Sequence, residues 1–347
     1  MIKSKKKGLF VDISEFSVLA VRTSGYEGPI IVEEAIDFPI ESGYKSEDIR
    51  SFLGKYVDIK SGNYEAICGI YPKDRFICYH EVESGVRLKN QILLEKLLRS
   101  DLGIDPKIND ISILNSHDGS IFDPTKNASN RLIFCGAPTA ELQKVQDQIL
   151  SFGLLPKRME LTSVASIGGF SHYMHLNKFE SAVTYVELLS ECTNVIILNK
   201  GEVGMVRTLD FGLNSLFPLL QDELGLKDEA SAVKLFHSNT FDVAEIGPKL
   251  LQRILEELKA ILGNYEVQTG LNVDRFFVSL LPQKLSWIPN AISSALGIDL
   301  VSIQLEMWLQ SLGISVDDSV DLSALGSHWL GVFSLIAEFN LREESVL

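Results

Sequence analysis

The chain has 347 residues, 46% of them hydrophobic, and a formal net charge of −14. This length favours two lobes over one compact domain, and so acidic a surface argues against nucleic-acid binding because it repels phosphate backbones. The four cysteines include no closely spaced pair, and no apolar run reaches the roughly 18 residues that a membrane span requires. These features predict a cytoplasmic protein with reduced thiols.

The first eighty residues favour β-structure. Apolar runs separated by glycine-marked turns predict a three-strand meander at 9–13, 17–22 and 30–37. A helix at 47–56 and strands at 65–71 and 76–82 follow. Antiparallel meanders do not occur in a purely parallel, doubly wound sheet, so that fold class fits poorly.

Helical spacing of apolar residues begins near residue 88. The predicted elements are a helix at 88–102, strands at 111–114 and 131–137, and a helix at 139–152. Gly153 stands where a helix of this kind ends. We interpret residues 86–156 as a small inserted α/β subdomain.

The second half of the chain repeats the opening pattern. A second meander is predicted at 183–188, 193–198 and 203–209. The remaining predicted elements are helices at 215–224, 227–237 and 244–268, a strand at 273–280, and helices at 286–296 and 324–339. A repeated meander indicates internal duplication.

Six stretches in order resemble the motifs of one superfamily. They are FVDISEFSVLAV, GLLPKRMELTSVA, CTNVIILNKGEV, VRTLDFGLNSL, ALGIDLVSI and the late helix LGSHWLGVFSLIAEF. Through them the chain resembles the actin-like ATPases, more closely the PilM family of type IV pilus assembly and more distantly FtsA. The resemblance extends from about residue 8 to residue 340. It implies an α/β, duplicated two-lobe fold, with mixed meander sheets, helices and a small inserted 1C-type subdomain.

The resemblance also implies domain boundaries. The first lobe (1A) would hold residues 8–85 and 157–180, the 1C-like subdomain 86–156, the second lobe (2A) 181–225 and 270–347, and subdomain 2B 226–269.

In this superfamily a hairpin turn in each lobe faces the nucleotide phosphates. Backbone N–H groups approach the phosphate closely there, and a Cβ in the turn blocks that approach. In the first hairpin Asp12, Ser14 and Ser17 match the motif, but Leu19 stands where a cation or an amide is expected.

The second hairpin departs further from the motif. Thr193 and Asn194 match, whereas Glu187 replaces an aspartate and Leu189 replaces the glycine. A longer carboxylate arm and an added apolar side chain would both crowd a phosphate.

The adenosine side has lost its glycines. Residues 280–282, Leu-Leu-Pro, follow Ser279 where the superfamily has Gly-Gly. Gly212, which follows the second hairpin, matches, but Leu213 replaces its usual partner glycine. On the predicted helix 227–237, Lys234 matches and Ser231 replaces a glutamate.

Two interpretations of these residues remain open. Short polar side chains in turns commonly bond to nearby N–H groups, which needs no ligand. Alternatively, ATP and Mg²⁺ still bind, without a catalytic residue or a metal site being evident. The nucleotide-binding candidates are then Asp12, Ser14, Ser17, Glu187, Thr193, Asn194, Gly212, Lys234 and Ser279.

The resemblance implies a cytoplasmic scaffold of a type IV pilus or a related secretion system that does not hydrolyse ATP. Its implied partner is the N-terminal cytoplasmic peptide of a PilN-like inner-membrane protein, which would hold the scaffold at the inner face of that membrane. The strands at 111–114 and 131–137 mark the region of the expected peptide groove. The alternatives are a working ATP-dependent switch and an FtsA-like, self-associating filament protein.

Overall fold

The computed structural model describes residues 7–40, 45–56, 64–83, 90–124, 130–238 and 246–344. The first of two compact units contains the described residues up to 176, together with 304–325 and 329–344; the second contains 177–303 and 326–328. No helix in the described ranges combines the length and the apolar character needed to cross a membrane.

The strands follow one another along the chain as β1 (Gly8–Ile13), β2 (Ser17–Thr23), β3 (Ile30–Pro39), β4 (Tyr64–Ile70), β5 (Phe76–Glu81), β6 (Asn109–Asn115), β7 (Arg131–Pro138), β8 (Leu154–Leu161), β9 (Ala182–Leu188), β10 (Thr193–Asn199), β11 (Glu202–Leu209), β12 (Val273–Ser279), β13 (Asp299–Leu300) and β14 (Ile314–Val316).

The α-helices are α1 (Ser46–Tyr56), α2 (Gln91–Lys96), α3 (Thr139–Ser151), α4 (Thr162–Leu176), α5 (Leu216–Leu224), α6 (Glu229–Phe236), α7 (Gly247–Leu250), α8 (Gln252–Thr269), α9 (Trp287–Leu296), α10 (Leu305–Ser311) and α11 (Leu330–Glu344). The single helix predicted at 244–268 is therefore two helices, and residues 244 and 245 lie outside the described residues. The helix predicted from residue 324 begins at Leu330.

Both predicted meanders are confirmed, and each continues into parallel strands. The first sheet has the order β14-β3-β2-β1-β4-β8 and the second has the order β11-β10-β9-β12-β13. The first strand of each meander pairs in parallel with the strand on its other side: β1 pairs with β4, and β9 pairs with β12. The shared order confirms the duplication that the sequence indicates.

The sequence analysis missed β8, which pairs in parallel with β4. Its sequence LLPKRMEL contains a proline and three charged residues, and most of its side chains are only partly buried. A strand at the margin of a sheet tolerates such residues, so it lacks the apolar pattern that identifies an interior strand.

The inserted subdomain is a separate antiparallel sheet in the order β5-β7-β6. Leu132 and Phe134 of β7 pack there with Leu97 and Leu98, which follow α2. The sequence boundaries of the subdomain differ from the predicted 86–156, because β5 belongs to this small sheet and β8 belongs to the six-stranded sheet.

The C-terminal region lies in the first unit, although the sequence analysis placed 270–347 together in the second lobe. β14 pairs in parallel with β3, and α11 packs on α4 and β1. Val332, Phe333 and Ile336 of α11 are fully buried. A helix that is apolar on several sides needs neighbours on several sides, and the helix layer of the first sheet supplies them.

Strand β1 separates two packing layers. Leu9, Val11 and Ile13 point into an apolar core shared with α1 and α3, so the alternation of a strand places Asp12 on the opposite face, where α11 packs. That alternation fixes the position of the first candidate site.

The four cysteines are free, as predicted. Burial raises the pKa of the Cys68 thiol and of the Cys135 thiol to about 12. These two thiols are structural core residues rather than reactive groups.

Two adjacent glycines in α4 provide a matched test of the helix packing. A Cβ at Gly168 meets no atom within 4 Å, so Gly168→Ala should raise the free energy of unfolding by up to about 1 kcal/mol. A Cβ at Gly169 collides with Ser334 Oγ and lies 3.2 Å from Trp308, so Gly169→Ala should lower it by about 1–3 kcal/mol. Urea unfolding of both variants measures the difference, and equal stabilities would contradict the packing described for α4 and α11.

Candidate functional site

The first hairpin is closed by one of its own side chains. Ser14 Oγ accepts hydrogen bonds from the N–H groups of Phe16 (3.2 Å) and Ser17 (3.0 Å) and donates to the Ser17 carbonyl (3.0 Å). The Ser14 N–H also donates to that carbonyl at 3.0 Å. Three N–H groups of the predicted phosphate turn therefore already have partners within the turn.

Asp12 is buried, with 1% of its surface exposed. Thr162 Oγ1 donates a hydrogen bond to Asp12 Oδ1 at 2.6 Å, and the Tyr71 hydroxyl donates to Oδ2 at 3.4 Å. Thr162 is the first residue of α4, so the carboxylate lies at a helix N-terminus, where negative charge is favoured.

Two glycines leave the room that this carboxylate occupies. A Cβ on Gly69 of β4 would stand 2.7 Å from Asp12 Oδ1, and one on Gly331 of α11 would stand 3.0 Å from Oδ2. Asp12 therefore joins β1, β4, α4 and the start of α11 within the first unit. The sequence reasoning identified Asp12 but missed Thr162, Gly69 and Gly331.

The second hairpin is covered by the loop that follows β11. The Leu213 N–H donates to the Leu189 carbonyl at 2.8 Å, and the Asn214 N–H donates to the Ser190 carbonyl at 2.9 Å. A Cβ at Gly212 would collide with the Ser190 carbonyl. Close contact between two backbone segments is thus a structural reason for the glycine at this position, which matches the superfamily motif.

The polar residues of the second hairpin bond to one another. The buried Glu187 accepts a hydrogen bond from Asn194 Nδ2 at 2.8 Å, and Asn194 Oδ1 accepts one from Thr208 at 2.8 Å. Thr193 is separate from this chain and donates to the Phe211 carbonyl at 2.6 Å. The structure therefore brings Glu187 and Asn194 together and directs Thr193 to the covering loop.

Ser279 ends β12 directly beside Glu187 in the parallel register. Its Oγ is buried without a hydrogen-bond partner among the described residues. The next residue, Leu280, has a φ of +68°, the left-handed backbone that normally favours glycine. Leu280 and Leu281 are both buried, so the turn keeps the backbone of a glycine while apolar side chains fill the space beside it.

The helix predicted to face the ribose, α6, packs through aromatic rings. The Phe236 ring lies 5.5 Å from Phe217 and 6.2 Å from Trp287 of α9, between ring centroids. The helix is capped by Asp228, whose pKa is lowered by hydrogen bonds from the Ser231 hydroxyl and N–H. Lys234 is exposed on α6, and within the described residues no hydrogen bond joins it to Glu187, Asn194 or Ser279.

A groove of about 330 Å³ lies on the inserted subdomain. Its walls are Leu94 of α2, residues 111–113 of β6, and Ile121, Phe122 and Pro124 of the following loop. The sequence reasoning indicated this region through β6 and β7, but β7 pairs on both sides and cannot accept another strand. The sequence analysis missed Ile121 and Phe122 of the outer wall, although they form an isolated apolar pair within a polar loop.

The sequence matches no protein-family profile and no curated protein sequence. Solved structures, by contrast, match along nearly the whole chain. A chain of the "PilM-PilN type IV pilus biogenesis complex" is 13% identical with a TM-score of 0.71, over 96% of this chain and 99% of that one.

Two further structures match at lower scores. A Bacteroides thetaiotaomicron protein with an actin-like ATPase fold and unknown function is 9% identical with a TM-score of 0.47, over 97% of this chain and 98% of that one. The cytoplasmic domain of EpsL, an inner-membrane component of the Vibrio cholerae type II secretion system, is 12% identical with a TM-score of 0.43, over 97% and 95%. These two scores are too low to carry a conclusion of their own.

At such identities the likeness concerns the fold. The two duplicated sheets, the inserted three-stranded sheet and the match along the PilM–PilN structure agree with one another. The chain therefore has the actin-like fold and is similar in fold to a chain of the PilM–PilN complex, as the sequence resemblance predicted.

Proposed function

We propose that this chain is a cytoplasmic, actin-like scaffold of a type IV pilus or related secretion system, without ATP hydrolysis. Its partner is a short N-terminal peptide of a PilN-like inner-membrane protein, which holds it at the inner face of that membrane. The fold match to a chain of a PilM–PilN complex supports the choice of machine and partner.

One observation carries the non-catalytic part of the proposal. Ser14 Oγ accepts hydrogen bonds from the Phe16 and Ser17 N–H groups of the first hairpin, and in the second hairpin the Leu189 N–H already donates to the Cys192 carbonyl at 3.0 Å. A phosphate would have to displace hydrogen bonds within both hairpins, and each broken bond costs about 0.5–1.5 kcal/mol. The carboxylates of Asp12 and Glu187 are likewise engaged by protein donors rather than presented for a metal.

A second candidate function is an ATP-binding switch. It is favoured by the left-handed φ of Leu280, because the turn after β12 keeps the backbone of a glycine turn although leucine is strained in it. The filled space around Leu280 and Leu281 argues against this candidate, since both side chains are at most 6% exposed.

Millimolar Mg-ATP, Mg-ADP and a non-hydrolysable analogue should leave the melting temperature of the purified protein unchanged. A ligand present at 100 times its Kd stabilises a protein by about 2.7 kcal/mol, a shift of several degrees. Thermal melting followed by circular dichroism makes the comparison, with Mg²⁺ alone as the control. A reproducible rise in melting temperature that requires the nucleotide would reject the proposal of a scaffold that binds no nucleotide and would favour the ATP-binding switch.

Asp12→Asn should lower the free energy of unfolding by about 1–3 kcal/mol without any nucleotide present, because the amide cannot replace both oxygens as acceptors. The exposed Glu27, in the turn before β3, provides the control, and Glu27→Gln should change stability by less than about 0.5 kcal/mol. Urea unfolding of both variants measures this. An Asp12→Asn protein as stable as wild type would show that the buried carboxylate has no structural role.

The partner can be tested with synthetic peptides from the cytoplasmic N-termini of single-span membrane proteins encoded beside this chain. Isothermal titration calorimetry should find one peptide that binds one-to-one, with a Kd on the order of micromolar, or about −8 kcal/mol. A scrambled peptide of the same composition is the control. If every authentic peptide behaves like its scrambled control, the peptide-binding part of the proposal is wrong.

A further inference from the structure

Strand β3 is longer than the strand that covers its outer side. Its inner side pairs with β2 as far as Pro39. On the outer side, β14 pairs only with residues 30–32, and the Asp317 N–H that follows β14 donates to the Val32 carbonyl at 2.9 Å. Among the described residues, no strand pairs with the outer side of residues 33–39. This stretch, the β3 window, therefore lies at the margin of the six-stranded sheet.

Backbone alternation determines which groups of the window point outward. The Ile40 N–H donates to the Phe16 carbonyl on the β2 side at 2.8 Å. Successive residues of a strand direct their N–H and C=O groups to opposite sides, so the odd-numbered residues just before Ile40 point away from β2. Ala35 and Asp37 therefore direct both N–H and C=O outward, and Pro39 directs its carbonyl outward.

The window has two fixed ends. The register between β2 and β3 skips Glu33, and such a bulge interrupts a ladder of backbone hydrogen bonds. At the other end, Pro39 has no N–H to donate. Glu33 and Pro39 lie three residues on either side of Ile36, so the window is symmetric about that residue.

A second copy of the window fits this symmetry. An antiparallel pair with a two-fold axis at Ile36 places Ala35 opposite Asp37 of the second copy, and Asp37 opposite its Ala35. Both positions become hydrogen-bonded pairs, which exchange two backbone bonds each. The two Ile36 side chains meet at the axis. Ile36 and Phe38 are only partly buried against the core, so this pairing removes more of their apolar surface from water.

Charge favours this register over its nearest alternative. An axis at Asp37 would place two carboxylates directly opposite each other, which is destabilising. The other acidic residues of the window are already paired with cations. Glu33 pairs with Lys7 and with Arg22 at 3.5 Å. Glu34 pairs with Arg22 at 3.0 Å. The window can therefore meet its own copy about Ile36 without placing like charges directly opposite each other.

The equivalent margin of the second sheet is blocked. Its outermost strand is β11. The bond from the Leu189 N–H to the Cys192 carbonyl sets the alternation across this sheet, and Val206 then directs its backbone groups outward. Arg207 Nη1 donates to the Val206 carbonyl at 3.1 Å. A two-fold pair about Arg207 would also place two guanidinium groups opposite each other. The β3 window thus suits a second copy, whereas β11 does not.

We propose that two copies of this chain pair through the β3 window, in antiparallel register about Ile36, and join their six-stranded sheets into one continuous sheet. An interface with a two-fold axis closes on itself, so the pairing gives a dimer and not a filament. Each copy contributes one short stretch, against roughly 20–30 residues in a standard interface, so the expected Kd is on the order of 10–100 μM. This inference goes beyond the proposed function and does not depend on it.

Ala35→Pro tests the backbone pairing. It removes an outward N–H that β2 does not use, and proline is tolerated where the N–H of a strand faces solvent. The dimer Kd, measured by sedimentation velocity over a range of protein concentrations, should rise about tenfold or more, because each dimer loses two hydrogen bonds. Circular dichroism and urea unfolding verify that the variant is folded.

Substitutions at Ala35 also test the register by charge, without proline. Each dimer brings Ala35 opposite Asp37 twice, so Ala35→Lys should lower the Kd and Ala35→Asp should raise it, each by about two- to thirtyfold. The exposed Ala230 of α6 provides matched controls, because Ala230→Lys and Ala230→Asp make the same changes in net charge in the second unit. Both control variants should leave the Kd nearly unchanged.

The outcomes are distinct. A protein that stays monomeric over the whole concentration range overturns the proposal, and so does a dimer whose Kd does not respond to a folded Ala35→Pro variant. If Ala35→Lys and Ala35→Asp weaken the dimer equally, the register about Ile36 is rejected. Equal responses of the Ala35 and Ala230 variants would assign the effect to net charge and reject the β3 window. Peptide binding is measured separately by calorimetry, so these results leave the proposed function untouched.

Discussion

The first unit depends on one buried interaction, the hydrogen bond from Thr162 Oγ1 to the Asp12 carboxylate at 2.6 Å. A carboxylate removed from water needs donors and positive potential, and here a threonine hydroxyl, a tyrosine hydroxyl and the start of α4 provide them. The requirement also explains two glycines, since side chains at Gly69 and Gly331 would occupy the space of the carboxylate oxygens. The end of β1, the start of α4 and the start of α11 are thereby held in one arrangement.

The second unit repeats the strand order of the first, but its buried carboxylate has different hydrogen-bond partners. Its carboxylate, Glu187, lies one methylene further from the strand and bonds to Asn194 within the same hairpin. The hairpin turn is then covered by backbone from residues 213–214. In both units the hairpin residues that resemble phosphate-site motifs have hydrogen-bond partners within the protein, which is a sufficient physical reason for their presence.

The inserted subdomain has the opposite character. Among the described residues, its outer strand β6 pairs only with β7 and with the short segment 120–122. Folded proteins usually cover or blunt such edges because they readily pair with other chains. The hairpins that resemble a nucleotide site are instead closed by the protein's own hydrogen bonds, which is the physical basis for proposing a scaffold instead of an ATPase.

The sequence by itself determined the duplicated meanders and the presence of an insertion, because these depend on apolar periodicity and on turn residues that are local in the chain. The actin-like fold was predicted by the resemblance of its motifs to those of a known superfamily. It did not predict β8, because the proline and the charged residues of this marginal strand break the apolar pattern of a strand. It also did not predict the unit in which α11 lies, because an apolar helix surface does not specify the element on which it packs. It named Asp12, Ser14, Glu187 and Asn194 but not their partners. Thr162 lies 150 residues from Asp12, and only tertiary packing brings such distant groups within bonding distance. The position of β6 at the margin of the small sheet likewise depends on which strands pair, and this is decided by the assembled sheet and not by any one segment.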